Sequence, residues 1–156
     1  MSVMKMRLFS IFVVVFAANL CMAQSNRPVA ATNWGKSVQG VRLSIAMTNS
    51  VVTMGSSSTI LTVVTNASTN AIKVTYTGRP SDFDVVLTST RGTAFHMIEP
   101  AQVETLRTMV EVKSGGQDVR TIGLTFAQPP GDYTLQATRY FSGGKLESNL
   151  LKVQIK

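Results

Sequence analysis

Pro129-Pro130-Gly131-Asp132-Tyr133-Thr134-Leu135-Gln136-Ala137 is the stretch whose reading decides the fold. Two prolines and a glycine stop one element and turn the chain. After them Tyr133, Leu135 and Ala137 alternate with Thr134, Gln136 and Thr138. A period of two puts the apolar set on one face of a strand and the polar set on the other. A tyrosine just after a glycine-containing corner is the sequence form of a tyrosine corner, in which the ring packs inside and the hydroxyl bonds backbone a few residues upstream. Gly131 and Tyr133 are therefore expected to be structural, on a late, central strand.

Outward from that stretch the same alternation recurs. Downstream, Ser142-Gly143-Gly144 makes a hairpin turn, and Leu151, Val153 and Ile155 alternate with Lys152, Gln154 and Lys156 in a last strand. Upstream, strands are predicted around Val41–Met47, Thr59–Thr65, Ile72–Tyr76, Phe83–Leu87, Ala94–Ile98, Leu106–Val112 and Ile122–Phe126, separated by glycine, proline and asparagine turns. Thr59–Thr65 is apolar on both faces, which suits a central strand. No window of helical length holds a 3.6-residue apolar period; Pro100–Arg107 offers one turn at most. The prediction is one all-β domain, an immunoglobulin-like Greek-key β-sandwich of about 7–9 strands over residues 39–156. Trp34, the only tryptophan, is expected to cap one end of it.

The N-terminus reads as a targeting signal. Lys5 and Arg7 precede the apolar run Leu8–Leu20, and Cys21-Met22-Ala23 places small residues for a cut after Ala23. The run is shorter than the ~20 residues of a spanning helix, so no stable membrane insertion is expected once 1–23 is removed. Ala18-Asn19-Leu20 before Cys21 does not resemble a lipobox. Residues 24–38 are read as a flexible lead-in. Cys21, the only cysteine, leaves with the signal, and a domain without disulfides points to the bacterial periplasm or the medium. The chain carries +7 overall; without Lys5 and Arg7, 13 basic residues face eight acidic ones, leaving +5. Those basic residues, Arg120 and Arg139 among them, are scattered, the pattern of a solvated surface, and export argues against a nucleic-acid partner.

Catalytic sets are missing from the sequence. His96 is the only histidine, which excludes a histidine cluster for a metal, and no nucleophile elbow or phosphate loop is present. The expectation is a non-enzyme without a cofactor. Asp82 and Asp84 flank Phe83 and would share one strand face, a weak calcium candidate if Glu99 or Asp132 joined them. Arg139, Tyr140 and Phe141 precede a glycine turn and are the candidate binding tip, since aromatic and arginine side chains anchor interfaces. Asn66-Ala67-Ser68 fits a glycosylation acceptor and, equally, a plain turn.

Val64-Thr65-Asn66-Ala67-Ser68-Thr69-Asn70-Ala71-Ile72-Lys73-Val74 resembles the strand, Asn-turn, strand segment of small bacterial immunoglobulin-like domains. Ser81-Asp82-Phe83-Asp84-Val85 with Arg91-Gly92, and Pro130-Gly131-Asp132-Tyr133-Thr134-Leu135-Gln136-Ala137, resemble segments of the intracellular proteinase inhibitor (BsuPI-type) family. The resemblance runs from about Ser58 to Tyr140. It implies a sandwich and, as activity, proteinase inhibition through an exposed loop, with Thr77–Ser81 and Gly92–Gln102 as candidates; no inhibitory residue is carried over. The segment after the turn glycine, Thr93–Ile98, lacks the tryptophan of that family. The functional expectation is a secreted or periplasmic binding module for a protein or glycan partner, with a protease as the alternative partner.

Overall fold

Alternation becomes strand throughout the described chain. The computed structural model describes residues 33–76, 82–98 and 108–156. Signal residues 1–23, lead-in residues 24–32, the candidate loop at 77–81, Glu99 and the rest of the second candidate loop to residue 102 lie outside them. Among the described residues the strands are β1 (Val41–Met47), β2 (Val51–Val52), β3 (Ser57–Asn66), β4 (Ile72–Tyr76), β5 (Phe83–Ser89), β6 (Ala94–Ile98), β7 (Thr108–Val112), β8 (Gln117–Thr125), β9 (Gly131–Phe141), β10 (Gly144–Glu147) and β11 (Leu151–Ile155). None of the described residues forms a helix long and apolar enough to cross a membrane.

Two sheets result. β1, β3 and β8 form one in that order, and the other eight strands form a second built on β9. Along one side β9 carries β11 on its first half and β10 on its second. Along the other side it carries β5 and then, at Phe141, β4. β6 continues the sheet beyond β5, and β7 continues it beyond β4. Every strand pair is antiparallel except β2 with β11. The core lies between the sheets: Leu43, Ile45, Ile60, Val64, Ile122 and Leu124 from the small one meet Val74, Val85, Leu87, Leu135, Ala137 and Val153 from the large one. Each Val, Leu or Ile among them contributes about 1.5–3 kcal/mol by leaving water.

The tyrosine corner is present. Tyr133 Oη donates to the Pro129 carbonyl at 2.6 Å, and the Phe95 ring meets the Tyr133 ring edge-on at 6.2 Å. β9 is late and central, as its alternation predicts. The fold is an immunoglobulin-like β-sandwich.

Two strands exceed the sequence reading. β2 is two residues held parallel to β11 through Gln154 and Ile155. β10 holds one apolar residue, Leu146, and pairs Gly144–Glu147 with Thr138–Phe141. Neither is long enough to show a period. Residues 33–38, placed with the lead-in, also belong to the fold. Val38 and Val41 exchange both backbone hydrogen bonds at 2.9 Å around Gln39 (φ 51°) and Gly40 (φ 81°), a tight hairpin of the kind that positive φ at both central residues produces. The segment then runs back along β1, where Gly35 N donates to Leu43 O at 2.9 Å. A Cβ on Gly35 would stand 1.8 Å from the Glu147 carbonyl, so only glycine passes there. Trp34, half-buried, therefore lies along the middle of the β1 edge and does not cap an end of the sandwich.

That edge is closed by a side chain as well. Asn149 Oδ1 accepts from Ile45 N at 2.8 Å and its Nδ2 donates to Ile45 O at 3.1 Å, an amide standing in for one residue of a neighbouring strand. At the end of the sandwich where β9 finishes, buried Asn66 has the same tying role. It donates to Asn70 O (2.8 Å) and Val112 O (3.0 Å) and accepts from Ser68 N (3.0 Å) and Ser68 Oγ (2.6 Å). An Asn side chain bonding the backbone two residues on is a turn device. Its Nδ2 is committed in the interior, so of the two readings of Asn66-Ala67-Ser68 the plain turn is the one the geometry has.

Candidate functional site

Strand parity decides which predicted residues reach solvent. In β9 the odd positions Tyr133, Leu135, Ala137, Arg139 and Phe141 face the core, and the even ones face out. Of the three residues read as a binding tip, Tyr140 is 55% exposed, whereas Arg139 is fully buried and Phe141 is 7% exposed. The tip reading is corrected to Tyr140 alone, because Arg139 and Phe141 share the parity of Leu135 and Ala137.

Arg139 belongs to an interior charged cluster. Its Nη1 donates to Asp118 Oδ2 at 2.5 Å, and its guanidinium carbon lies 4.7 Å from the centroid of the Phe83 ring directly opposite it on β5. Asp118 and Arg120 come from β8 in the facing sheet, on the core side with Ile122 and Leu124. Arg120 Nε donates to both Asp118 oxygens at 3.0 and 3.2 Å, and its Nη2 stands 2.9 Å from Oδ1. Burial alone would raise the Asp118 pKa, but hydrogen bonds from Arg120 and Arg139 and their charges outweigh it and hold the carboxyl below its ordinary value. The carboxylate thus clasps the two sheets together. The sequence reading placed Arg120 and Arg139 among solvated surface charges; both are corrected, Arg139 to full burial and Arg120 to a half-buried ion pair. Their parity with Ile122 and Leu135 was the signal available.

Of the two aspartates read as a weak calcium candidate, Asp82 lies just before β5 and shares its parity with Asp84, and both are partly buried; Asp132, read as a possible addition, is remote from them. Asp84 faces out from β5 and its Oδ1 stands 3.1 Å from His96 Nδ1 on β6. Asp132 is six positions along β9 from Thr138, the partner of Asp84, hence about 20 Å away. Among the described residues no group of three or more His, Cys, Asp or Glu side chains could hold a metal.

A concave site exists elsewhere, on the outer face of the large sheet at the start of β9. Even-numbered Asp132 and Thr134 of β9 lie between Thr88 and Thr90 at the end of β5 and Lys152 and Gln154 of β11. Together with Ser50, Ser89, Tyr133 and Val153 they line a groove of about 380 Å³. Gln154 Nε2 donates to Asp132 Oδ1 at 3.2 Å, and Gln154 N donates to Ser50 O at 2.8 Å, fixing the amide and the chain beside β11. Thr90 N donates to Asp132 O at 3.3 Å and closes the other wall. Lys152 sits diagonally from Asp132, and among the described residues no ion pair joins them. The sequence reading did not single out these residues. Their outward parity was visible, but their convergence depends on β11 and β5 flanking β9.

No protein-family model matches the chain, and no curated protein sequence matches it. Among solved structures it is similar to Spo0M, the sporulation control protein from Bacillus subtilis, at 10% identity and TM-score 0.52, over 75% of this chain and 49% of that one. It is similar to the C-terminal domain of wzt at 13% identity and TM-score 0.51, over 84% of this chain and 80% of that one. A weaker likeness, at 11% identity and TM-score 0.47, is to the Pseudomonas fluorescens alkylpurine DNA glycosylase AlkC, over 75% of this chain and 30% of that one. The chain thus spans about half of Spo0M and under a third of AlkC. The likenesses to Spo0M and the wzt C-terminal domain show the fold alone.

Proposed function

We propose that this chain is an exported, non-catalytic immunoglobulin-like module that binds its partner on the outer face of the large sheet, at the groove between β5, β9 and β11. The observation carrying this reading is the groove itself. It is a concavity of about 380 Å³ in which polar side chains such as Thr88, Asp132, Thr134 and Gln154 converge beside Tyr133 and Val153; apolar lining with a few convergent polar groups is the general form of a binding site. All its members but Ser50 and Thr90 sit on paired strands, which hold a site more rigidly than loops do. Export is supported by Lys5, Arg7, the apolar run Leu8–Leu20 and the small residues before position 24; the processed form would face periplasm or medium. The interior cluster of Asp118, Arg120 and Arg139 is assigned to stability, since its carboxylate is saturated by two guanidiniums.

The test is capture from the protein's own envelope and medium fractions by three forms: wild type, Thr134→Arg, which fills the groove, and Tyr140→Ala, which strips the exposed aromatic. The reading expects a ligand retained by wild type and by Tyr140→Ala and lost on Thr134→Arg. Retention unaffected by Thr134→Arg, loss confined to Tyr140→Ala, or no retention by wild type each overturns it. The second reading, proteinase inhibition, is supported by the resemblance of Ser81–Val85 and Pro130–Ala137 to the BsuPI-type family. Of its second candidate loop, Ala94–Ile98 is a strand paired with β5 and not a free loop. Stoichiometric inhibition of any member of a panel of serine, cysteine and metalloproteases would put this reading in place of the first.

A further inference from the structure

We infer that the groove takes a neutral, polyhydroxylated ligand, a short stretch of carbohydrate. The inference rests on the groove being the binding site proposed above and names the chemistry it selects. A sugar presents hydroxyls that donate and accept at once, set between patches of C–H. Its site therefore needs side chains of mixed donor and acceptor capacity interleaved with small apolar groups. Thr88, Thr90 and Thr134 each bring a hydroxyl and a methyl, Gln154 brings an amide with both capacities, Asp132 accepts only and Lys152 donates only. Asp132 is already oriented: Oδ1 is held by Gln154 Nε2, and among the described residues no hydrogen bond reaches Oδ2.

Other ligand classes fit less well. The groove carries one carboxylate and one ammonium, so the net positive charge of the chain is not gathered there, and a phosphate or polyanionic chain would meet Asp132 directly. Its large apolar lining residues, Tyr133 and Val153, are both buried, and none of the large exposed hydrophobic residues (Val51, Met54, Met109, Val119, Tyr140, Leu150) lines it, so a lipid or apolar helix finds no exposed platform. A free amino acid would match the two charges but make no use of the Thr88 and Thr90 hydroxyls. Ion pairs in an open, wet groove are also weak.

The experiment is a titration of the purified protein, followed by backbone amide NMR shifts, with neutral oligosaccharides: α- and β-linked glucans, xylan and chitin fragments. Heparin fragments, polyphosphate and free amino acids serve as competitors. The expected result is saturable binding of at least one neutral saccharide in the range of about 0.1–10 mM, with shifts centred on Thr88, Thr90, Asp132, Thr134 and Gln154. Asp132→Ala and Gln154→Ala should each weaken it about tenfold with melting unchanged, the worth of one hydrogen bond to a charged or amide group. No saccharide binding, stronger groove binding by a polyanion or by an amino acid, or shifts centred on another face each overturns the inference. If a ligand is still captured and lost on Thr134→Arg while no saccharide binds, the carbohydrate assignment alone fails and the groove stands. If saccharide shifts centre on Tyr140, the groove fails with it.

Discussion

Arg139→Met isolates the clasp between the sheets. The substitution keeps the apolar stem and removes the guanidinium, which is fully buried, 2.5 Å from Asp118 and 4.7 Å from the Phe83 ring centroid. Breaking a buried pair from one side typically costs about 3–5 kcal/mol, because the remaining charge stays desolvated. Here Arg120 still holds both Asp118 oxygens, so the lower end applies, about 3 kcal/mol, with the cation–π contact accounting for roughly 0.5–2 of it. In a domain of this size that loss lowers Tm by roughly 10 °C. Urea unfolding is the assay: the midpoint should fall while the slope is unchanged, as expected when stability alone has moved. Asp118→Leu combined with Arg139→Met and Arg120→Met replaces the whole charged cluster by apolar groups and should recover to within about 1 kcal/mol of wild type. A cost below about 1 kcal/mol for Arg139→Met, or a triple variant worse than the single, would refute the argument that the cluster is a desolvated clasp.

Three further outcomes follow from the same contacts. Tyr133→Phe removes the 2.6 Å bond to Pro129 O while leaving the ring, and should cost about 1 kcal/mol in urea unfolding. Gly35→Ala places a methyl 1.8 Å from Glu147 O; it should free residues 33–38 from β1, seen as faster amide exchange at Gly35 and Val38 with the remaining sandwich protected. The Asp118 carboxyl is held below its ordinary pKa in the folded chain. Its contribution is therefore complete above the unfolded carboxylate value of about 3.9 and is lost as pH falls through the lower folded value. Wild type and Asp118→Asn should thus differ in stability by a constant amount from pH 5 upward to about pH 7 and converge below about pH 4, which unfolding at stepped pH measures.

What was legible in the sequence was what the strand period controls. Tyr133, Leu135 and Ala137 are inside as their alternation predicts, and Gly131 turns into the strand. The misreading of Arg139 came from weighing residue type above position: an arginine is rarely buried unless paired, and the pairing partner, Asp118, is 21 residues away in the other sheet. Asp118 and Arg120 bracket Val119, which is exposed, so there too position and type disagree. β10 escaped notice because glycine, lysine and glutamate surround its one buried residue, Leu146. The groove was illegible for a different reason. Polar residues on an outer face satisfy the fold equally well in many arrangements, and only pairing of β9 with both β5 and β11 makes Asp132, Thr88 and Gln154 neighbours.

β9 thus serves two ends by parity. Its odd positions 133 to 141 hold the corner hydrogen bond, the core and the clasp to Asp118; its even positions 132 and 134 supply the outward side chains of the groove, beside Tyr133. Substitutions one residue apart should therefore separate stability from binding. Arg139→Met should lower the unfolding midpoint and leave the ligand's affinity unchanged at temperatures where the chain stays folded, since the clasp lies near the other end of β9 from the groove. Thr134→Arg should do the reverse. A single strand can serve both purposes because the pleat sends neighbouring side chains into different environments, so selection for a ligand on one face places little constraint on packing at the other.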